Sequence, residues 1–236
     1  MITVDFRRLN IRPGFKILDI GSGPGRHTCA ASQFKDVTAI GADLSFDDIT
    51  EAKRRLEAYE YMGECRGRWG VLSTNILKLP FGDETFDLVI CAEVLEHIPD
   101  HQAAMLEIVR VLKPAGDLVV SVPRYLPERV CWRLSDDYTN ANMGHVRIYK
   151  KAKLATLLEK TDVKLWAHHH AHSLHSPFWW LKCLMGPTRT DSWAVNLYHR
   201  FLVWDLMKKP VLTRRLEGLL NPLLGKSLVL YLRKGI

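Results

Sequence analysis

Residues 17–25 read Ile-Leu-Asp-Ile-Gly-Ser-Gly-Pro-Gly, an apolar run closed by three alternating glycines. Without Cβ atoms the chain can turn tightly there, and its amides can approach polar groups of a ligand. The dinucleotide pattern G-x-G-x-x-G needs a small residue three positions after its second glycine. Arg26 stands at that position, so the pattern is G-x-G-x-G and the nicotinamide fingerprint fails. Asp43 ends the next apolar run, 22 positions after Gly21. A carboxylate at the end of a second strand can accept hydrogen bonds from both hydroxyls of an adenosine ribose, each worth roughly 1.5–3 kcal/mol. Read singly, the glycines could form an ordinary strand-to-helix turn and Asp43 a solvated cap. Together they point to a nucleoside-bearing cofactor.

Histidines supply a second chemistry. An imidazole titrates near pH 6.5, so His97, His145 and the cluster His168–His175 can each exchange a proton at neutral pH. If a strand runs through His168-His-His-Ala-His172, alternation puts His168, His170 and His172 on one face. Such a face permits a divalent cation, but a surface or pocket-lining strand without metal has the same pattern, and no metal is assigned.

The elements that must hold these groups alternate between strand-like and helix-like segments, the mark of a parallel sheet covered by helices. Strands are expected at 16–21, 37–43, 70–74, 86–92 and 117–122. Helices are expected at 26–34, 47–59 and 101–112, with Ser45 capping the second and Pro114–Gly116 closing the third. Residues 124–150 show no clear period. A helix at 152–158 precedes a strand from 163 that runs into the histidines. Residues 176–226 read as two or three helices split by Pro187, Pro210 and Pro222, and 227–233 return as a strand. The 236 residues suit one α/β domain with elaborations. The polar start predicts no secretory signal, and charges interrupt each long apolar stretch, so no membrane span is expected. Five scattered cysteines favour reduced thiols and a cytoplasmic setting over disulfides. A net charge of +7 is compatible with an anionic small molecule, nucleic acid or membrane surface.

The glycine motif, with Gly41-Ala-Asp-Leu-Ser45, Leu79-Pro-Phe-Gly-Asp-Glu-Thr-Phe-Asp87, Glu93-Val-Leu-Glu-His-Ile98 and Arg110-Val-Leu-Lys-Pro-Ala-Gly116, resembles the class I S-adenosylmethionine-dependent methyltransferases, most of all their small-molecule and quinone-directed group. The resemblance covers residues 14–123, with a weaker echo at Gly144-His-Val-Arg-Ile-Tyr149. It implies a Rossmann-like sheet of seven strands, mostly parallel with one antiparallel strand near its edge, and helices on both faces. Residues 14–123 would be the cofactor-binding core, and 124–150 with 175–226 a helical substrate cap. S-adenosylmethionine is the implied cofactor. Its methionine part would lie against Asp19, Gly21, Ser22, Gly23 and Gly25, its ribose on Asp43, and its adenine by Leu44, Asn75 and Ile76. Asn75 stands where the family usually has aspartate, and an amide carbonyl can still accept from the adenine amino group. Glu93 falls at the carboxyl edge of the sheet, where ligands bind.

Methyl transfer from a sulfonium is an in-line displacement, so the protein must position a nucleophile, exclude water and, for a hydroxyl acceptor, take a proton. His145, Glu93 and His97 are the expected bases. Five of seven tryptophans follow residue 163, and from His175 to Lys226 eight bases face three acids. Basic and aromatic residues among leucines suit a membrane-surface helix or a pocket for a lipophilic acceptor (quinone-, isoprenoid- or glycolipid-like), though core packing of helices reads the same way. The expectation is peripheral attachment at the inner face of the membrane. An RNA methyltransferase is the first alternative, made less apt because strand four leads into Cys91-Ala-Glu-Val and no Asn/Asp-Pro-Pro-aromatic or Pro-Cys motif occurs. A non-catalytic cofactor-binding subunit is the second. The acceptor atom and the oligomeric state are not specified by these residues.

Overall fold

The computed structural model describes residues 1–140 and 145–236. The described strands form one seven-stranded sheet in the order β3-β2-β1-β4-β5-β7-β6. Here β1 is Lys16–Ile20, β2 Thr38–Asp43, β3 Arg68–Ser73, β4 Phe86–Ala92, β5 Leu112–Pro123, β6 Val163–Ala171 and β7 Ser227–Lys234. The first five run parallel, whereas β7 is antiparallel to both β5 and β6. This is the expected Rossmann-like α/β sheet, with its reversed strand one place in from the edge.

Strands β1, β4 and β7 are nearly continuous apolar runs because both sheet faces are covered. On one face Leu18, Val89, Leu118 and Leu230 pack with Met105 and Ile108 of α3 (His101–Val111) and Leu154 of α6 (Lys151–Glu159). On the other, Ile17, Ile90, Val119 and Tyr231 pack with Ala31 of α1 (Arg26–Ser32) and with Val4 and Leu9 of the N-terminal segment. The second helix, α2 (Phe46–Tyr61), starts as expected at Ser45, whose hydroxyl accepts from the Asp48 amide at 3.2 Å.

Several expectations are corrected. Lys113–Gly116 does not simply close α3: it forms a bulge within β5, where the pairing jumps from Leu112 opposite Phe86 to Asp117 opposite Leu88, and Ala115 is left-handed. The aperiodic stretch 124–150 contains α4 (Tyr125–Leu134) and α5 (Asp136–Asn140), while Gly144 of the expected motif lies outside the described residues. The later segment holds α7 (His175–Met185), α8 (Trp193–Lys208) and α9 (Val211–Leu224). Pro187 and Pro210 separate them, but Pro222 does not split anything. It sits in the last turn of α9 and the helix continues through it, at the cost of the one hydrogen bond its amide would have donated to the carbonyl four residues back.

Candidate functional site

The first strand delivers Gly21, Gly23 and Gly25 at the carboxyl edge of the sheet, all with positive φ (67°, 48° and 74°). The three glycines are needed for different reasons. A Cβ on Gly21 would lie 2.2 Å from Val94 Cγ2, and one on Gly25 would lie 2.9 Å from Ala52 Cβ. Gly25 is therefore a packing glycine between α1 and α2, and it lines neither of the two cavities at this edge. At Gly23 a Cβ would meet nothing within 4 Å, so the open side of the turn faces empty space.

That space is a cavity of about 380 Å³ whose walls include Gly21, Gly23, Asp43, Leu44, Asn75 and Ile76. Its size lies within the range of small-molecule pockets. Asp43 Oδ2 accepts the Gly23 amide at 2.8 Å and Oδ1 accepts the Ser45 amide at 2.9 Å. A carboxylate offers about four acceptor positions, which leaves about two for a vicinal diol. Leu44 is 72% exposed, an apolar side chain left uncovered at the cavity mouth, across from the buried Ile76. Asn75 Oδ1 accepts the Leu77 amide at 2.9 Å, so the side chain both shapes this loop and keeps an acceptor position. An adenosine bearing a polar chain fits this set: apolar walls for a base, a carboxylate for the ribose, and a bare glycine turn beneath the chain.

Asp19 departs from its expected place. It is 1% exposed, lines neither cavity, and accepts the Thr28 amide at 2.9 Å and the Thr28 hydroxyl at 2.7 Å through Oδ2. Burial pushes its carboxyl up to about 7, and Oδ1 has no hydrogen-bond partner. Asp19 thus anchors α1 beneath the glycine turn instead of facing a ligand.

A second cavity, about 370 Å³, shares Gly21, Gly23 and Glu93 with the first and adds Ser22, His27, Trp179, Lys226 and Ser227. Glu93 lies at the junction. Its backbone is left-handed (φ 58°), a conformation that costs a non-glycine residue about 1 kcal/mol or more and here turns its carboxylate between the cavities. Burial raises its pKa, opposed by Lys226 and by hydroxyl donors, among them Ser121 Oγ, which donates to Oε1 at 2.9 Å. A carboxylate whose basicity is raised by burial, placed beside two cavities, is a candidate proton acceptor.

The expected histidines divide. His97 lines the first cavity. His145 reaches neither: its Nδ1 lies 2.7 Å from Glu128 Oε1, and its ring is 4.8 Å from that of His97. It belongs to a buried polar cluster in which Tyr138 and Trp132 also donate to Glu128. The strand face proposed by alternation ends short of His172, because β6 stops at Ala171 and His172 is left-handed (φ 64°), although all three histidines line one cavity.

Sequence reasoning missed Lys226, Ser227 and Arg147. Because β7 is antiparallel, its first residues lie at the ligand edge, so Lys226 and Ser227 arrive where β1 and β4 end. Lys226 Nζ sits 4.6 Å from the Trp179 ring centre, tying α7 to this edge. The Arg147 guanidinium donates to the carbonyls of Leu95, Ile98 and Pro99 and so fixes the loop that carries Glu93 and His97.

Residues 18–120 match the family model described as "Methyltransferase domain". The chain is 30% identical over 147 residues to cycloartenol-C-24-methyltransferase 1 of Oryza sativa subsp. japonica, covering 62% of this chain and 39% of that one. It is 30% identical over 115 residues to demethylmenaquinone methyltransferase of Bacillus cereus, covering 48% and 46%. The chain therefore spans less than half the length of these two relatives. The solved structure of an S-adenosylmethionine-dependent methyltransferase from Methanosarcina mazei superposes with a TM-score of 0.62 at 15% identity, over 99% of this chain and 98% of that one. The fold is shared end to end, and the cofactor that the family uses is S-adenosylmethionine. Residues 18–120 thus match a methyltransferase domain, and the chain as a whole shares the fold of a solved S-adenosylmethionine-dependent methyltransferase.

Proposed function

We propose that this chain transfers a methyl group from S-adenosylmethionine to a small lipophilic acceptor drawn from an anionic membrane surface, at its cytoplasmic side. Bound in the first cavity, the cofactor supplies an electrophilic methyl group. Asp43 would take the ribose hydroxyls, Leu44 and Ile76 would flank the adenine, and the bare turn at Gly21 and Gly23 would lie beneath the methionine end. The second cavity holds the acceptor, with Glu93 as the group that orients it and takes its proton when the nucleophile is a hydroxyl. His97 lies on the cofactor side, and His145 serves by positioning Glu128. The names of the two curated relatives give cycloartenol and demethylmenaquinone, both lipophilic, as acceptors.

The observation that carries this reading is the polarity of α9. Its buried residues are Thr213 and Glu217, whereas Val211, Leu212, Leu216, Leu219 and Leu223 are exposed. A helix folded against a protein core shows the opposite pattern. On α8, Trp193, Leu197, Phe201 and Trp204 line an open apolar groove of their own. The only acids on these two helices, Asp205 and Glu217, are buried and bonded to Arg214. Arg200, Lys208, Lys209 and Arg215 are thereby left exposed and uncompensated around the leucines. Apolar side chains rimmed by tryptophan and bases are complementary to an anionic bilayer, where each Lys or Arg contributes about 1 kcal/mol. No helix among the described residues is long and apolar enough to cross a membrane, so this attachment lies on the surface.

Sedimentation with phosphatidylglycerol-containing vesicles tests the docking. Binding at low salt should weaken at high salt and be lost in L219E/L223E with no fall in thermal stability. Absence of binding at low salt sinks the membrane reading. Methyl-labelled cofactor incubated with a membrane lipid extract should leave label in the organic phase. Label entering bulk RNA would favour the RNA alternative, and cofactor binding without transfer to either would favour a non-catalytic subunit.

A further inference from the structure

Where β6 gives way to α7, three side chains converge outside both cavities of the methyl-transfer site. His172 and His175 stand one turn apart, the His175 amide donating to the His172 carbonyl at 3.1 Å, with ring centres 5.6 Å apart. Glu217 reaches them from α9, its Oε1 3.9 Å from His172 Nδ1. One ligand atom from each of the three lies within 4.8 Å of the others. His172 Nε2 and His175 Nδ1 are buried and have no hydrogen-bond partner among the described residues. A native interior rarely leaves two ring nitrogens in this state, so the cluster is incomplete as an arrangement of protein groups alone. The left-handed backbone of His172 is needed to bring its ring to this place.

We propose that His172, His175 and Glu217 bind one divalent cation of the zinc type. Two neutral imidazoles and a carboxylate are a donor set suited to zinc, which commonly leaves a fourth position for water or a ligand. Zinc–ligand bonds of about 2.0–2.1 Å set tetrahedral edges of roughly 3.4 Å, so the three side chains close inward on the ion by rotamer adjustment. Glu217 is held for this role from behind: Arg214 Nη1 donates to Oε2 at 2.8 Å and leaves Oε1 facing the rings. The fourth position opens toward a cavity of about 790 Å³, whose walls include His172, Glu217, Arg7, Arg8, His168 and His170. The other three-ligand cluster among the described residues, Glu96, His97 and His145, is less suited, because His145 Nδ1 is already committed to Glu128. The ion would fasten α9 to the β6–α7 junction, next to contacts that already run from Ser173 to Asn221 and Glu217.

The test uses the full chain stripped with a chelator and titrated with zinc chloride alone in a calorimeter. One ion per chain is expected, with affinity lowered about 100-fold or more in His172→Ala and in His175→Ala, since even loss of a group that hydrogen-bonds a ligand costs about 10–100-fold. Should those variants fail to fold, the cobalt(II)-loaded native chain decides: two paramagnetically shifted imidazole N–H resonances are expected, and they should persist in His97→Ala. No uptake of zinc, an absence of shifted imidazole resonances, or their loss in His97→Ala overturns the proposal.

Discussion

Two glycines only two residues apart, Gly21 and Gly23, separate folding from ligand binding. Gly21→Ala places a methyl group inside Val94 and should destabilise the chain, by about 1–3 kcal/mol as for other overpacking, read as a lower urea midpoint. Gly23→Ala meets no protein atom, so its stability cost should stay near 1 kcal/mol, the penalty for a left-handed alanine, while calorimetry shows cofactor affinity falling. A loss of stability in Gly23→Ala as large as in Gly21→Ala would contradict the open cradle. His27 carries a pH signature. It is 8% exposed, accepts the Thr3 amide through Nε2 at 3.1 Å, and burial depresses its pKa to about 4. The unfolded chain takes up this proton near pH 6.5 and the folded chain near pH 4, so the residue's stabilising contribution is complete above 6.5 and shrinks as pH falls through that window. Relative to His27→Gln, the native chain should lose up to about 1.4 kcal/mol per pH unit between 6.5 and 4. Parallel stability curves for the two proteins would refute this.

At the scale of elements, legibility followed periodicity and failed where contacts across the fold decide. The runs at 16–20, 38–43 and 86–92 were readable because a strand buried on both faces must be apolar throughout. Asp43 and the glycine turn were readable because their chemistry depends on a short, local spacing. Asp19 was misplaced because sequence gives a residue's distance from a turn but not which side of it the side chain takes. The surroundings of His145 were not readable because its partner, Glu128, lies 17 residues away in a stretch with no period. Helix α9 was the hardest element: a leucine-rich segment suggests burial, yet here the polar side faces inward. That inversion makes polar contacts the fastening of α9. Asn221 Oδ1 accepts the Ser173 amide at 3.0 Å, Glu217 O accepts from the Ser173 hydroxyl at 3.2 Å, and Leu224 O accepts from Ser176 Oγ at 2.6 Å. Asn221→Ala should therefore cost about 1 kcal/mol, and amide exchange should quicken across 211–224 while β1 and β4 keep their protection. Uniform quickening over the whole sheet would mean that α9 is part of the central cooperative unit and not a separately fastened helix.

For the whole molecule, the cofactor cavity joins pieces distant in the chain: the turn after β1, the end of β2, the loop after β3 and the left-handed Glu93 after β4. A ligand contacting all four binds only the folded chain, so its binding free energy adds to global stability. At a concentration 100 times its dissociation constant, S-adenosylmethionine should contribute about 2.7 kcal/mol. For a chain of this length that corresponds to a rise in Tm of about 5–11 °C. The Asp43→Ala variant separates this linkage from a general solvent effect. Removing the carboxylate takes away the two acceptor positions left for the ribose and also frees the Gly23 amide that Asp43 now holds. One such charge-assisted bond is worth about 1.5–3 kcal/mol, so affinity should fall by roughly 10- to 150-fold. At the same cofactor concentration, about half to nine-tenths of the rise in Tm should then vanish, while the ligand-free Tm changes by much less. NAD, which needs the packing glycine that Arg26 replaces, should leave the Tm of both proteins unmoved. An equal rise in the native chain and in Asp43→Ala would show that the ligand binds elsewhere, and a rise with NAD would show that the glycine turn accepts a dinucleotide after all.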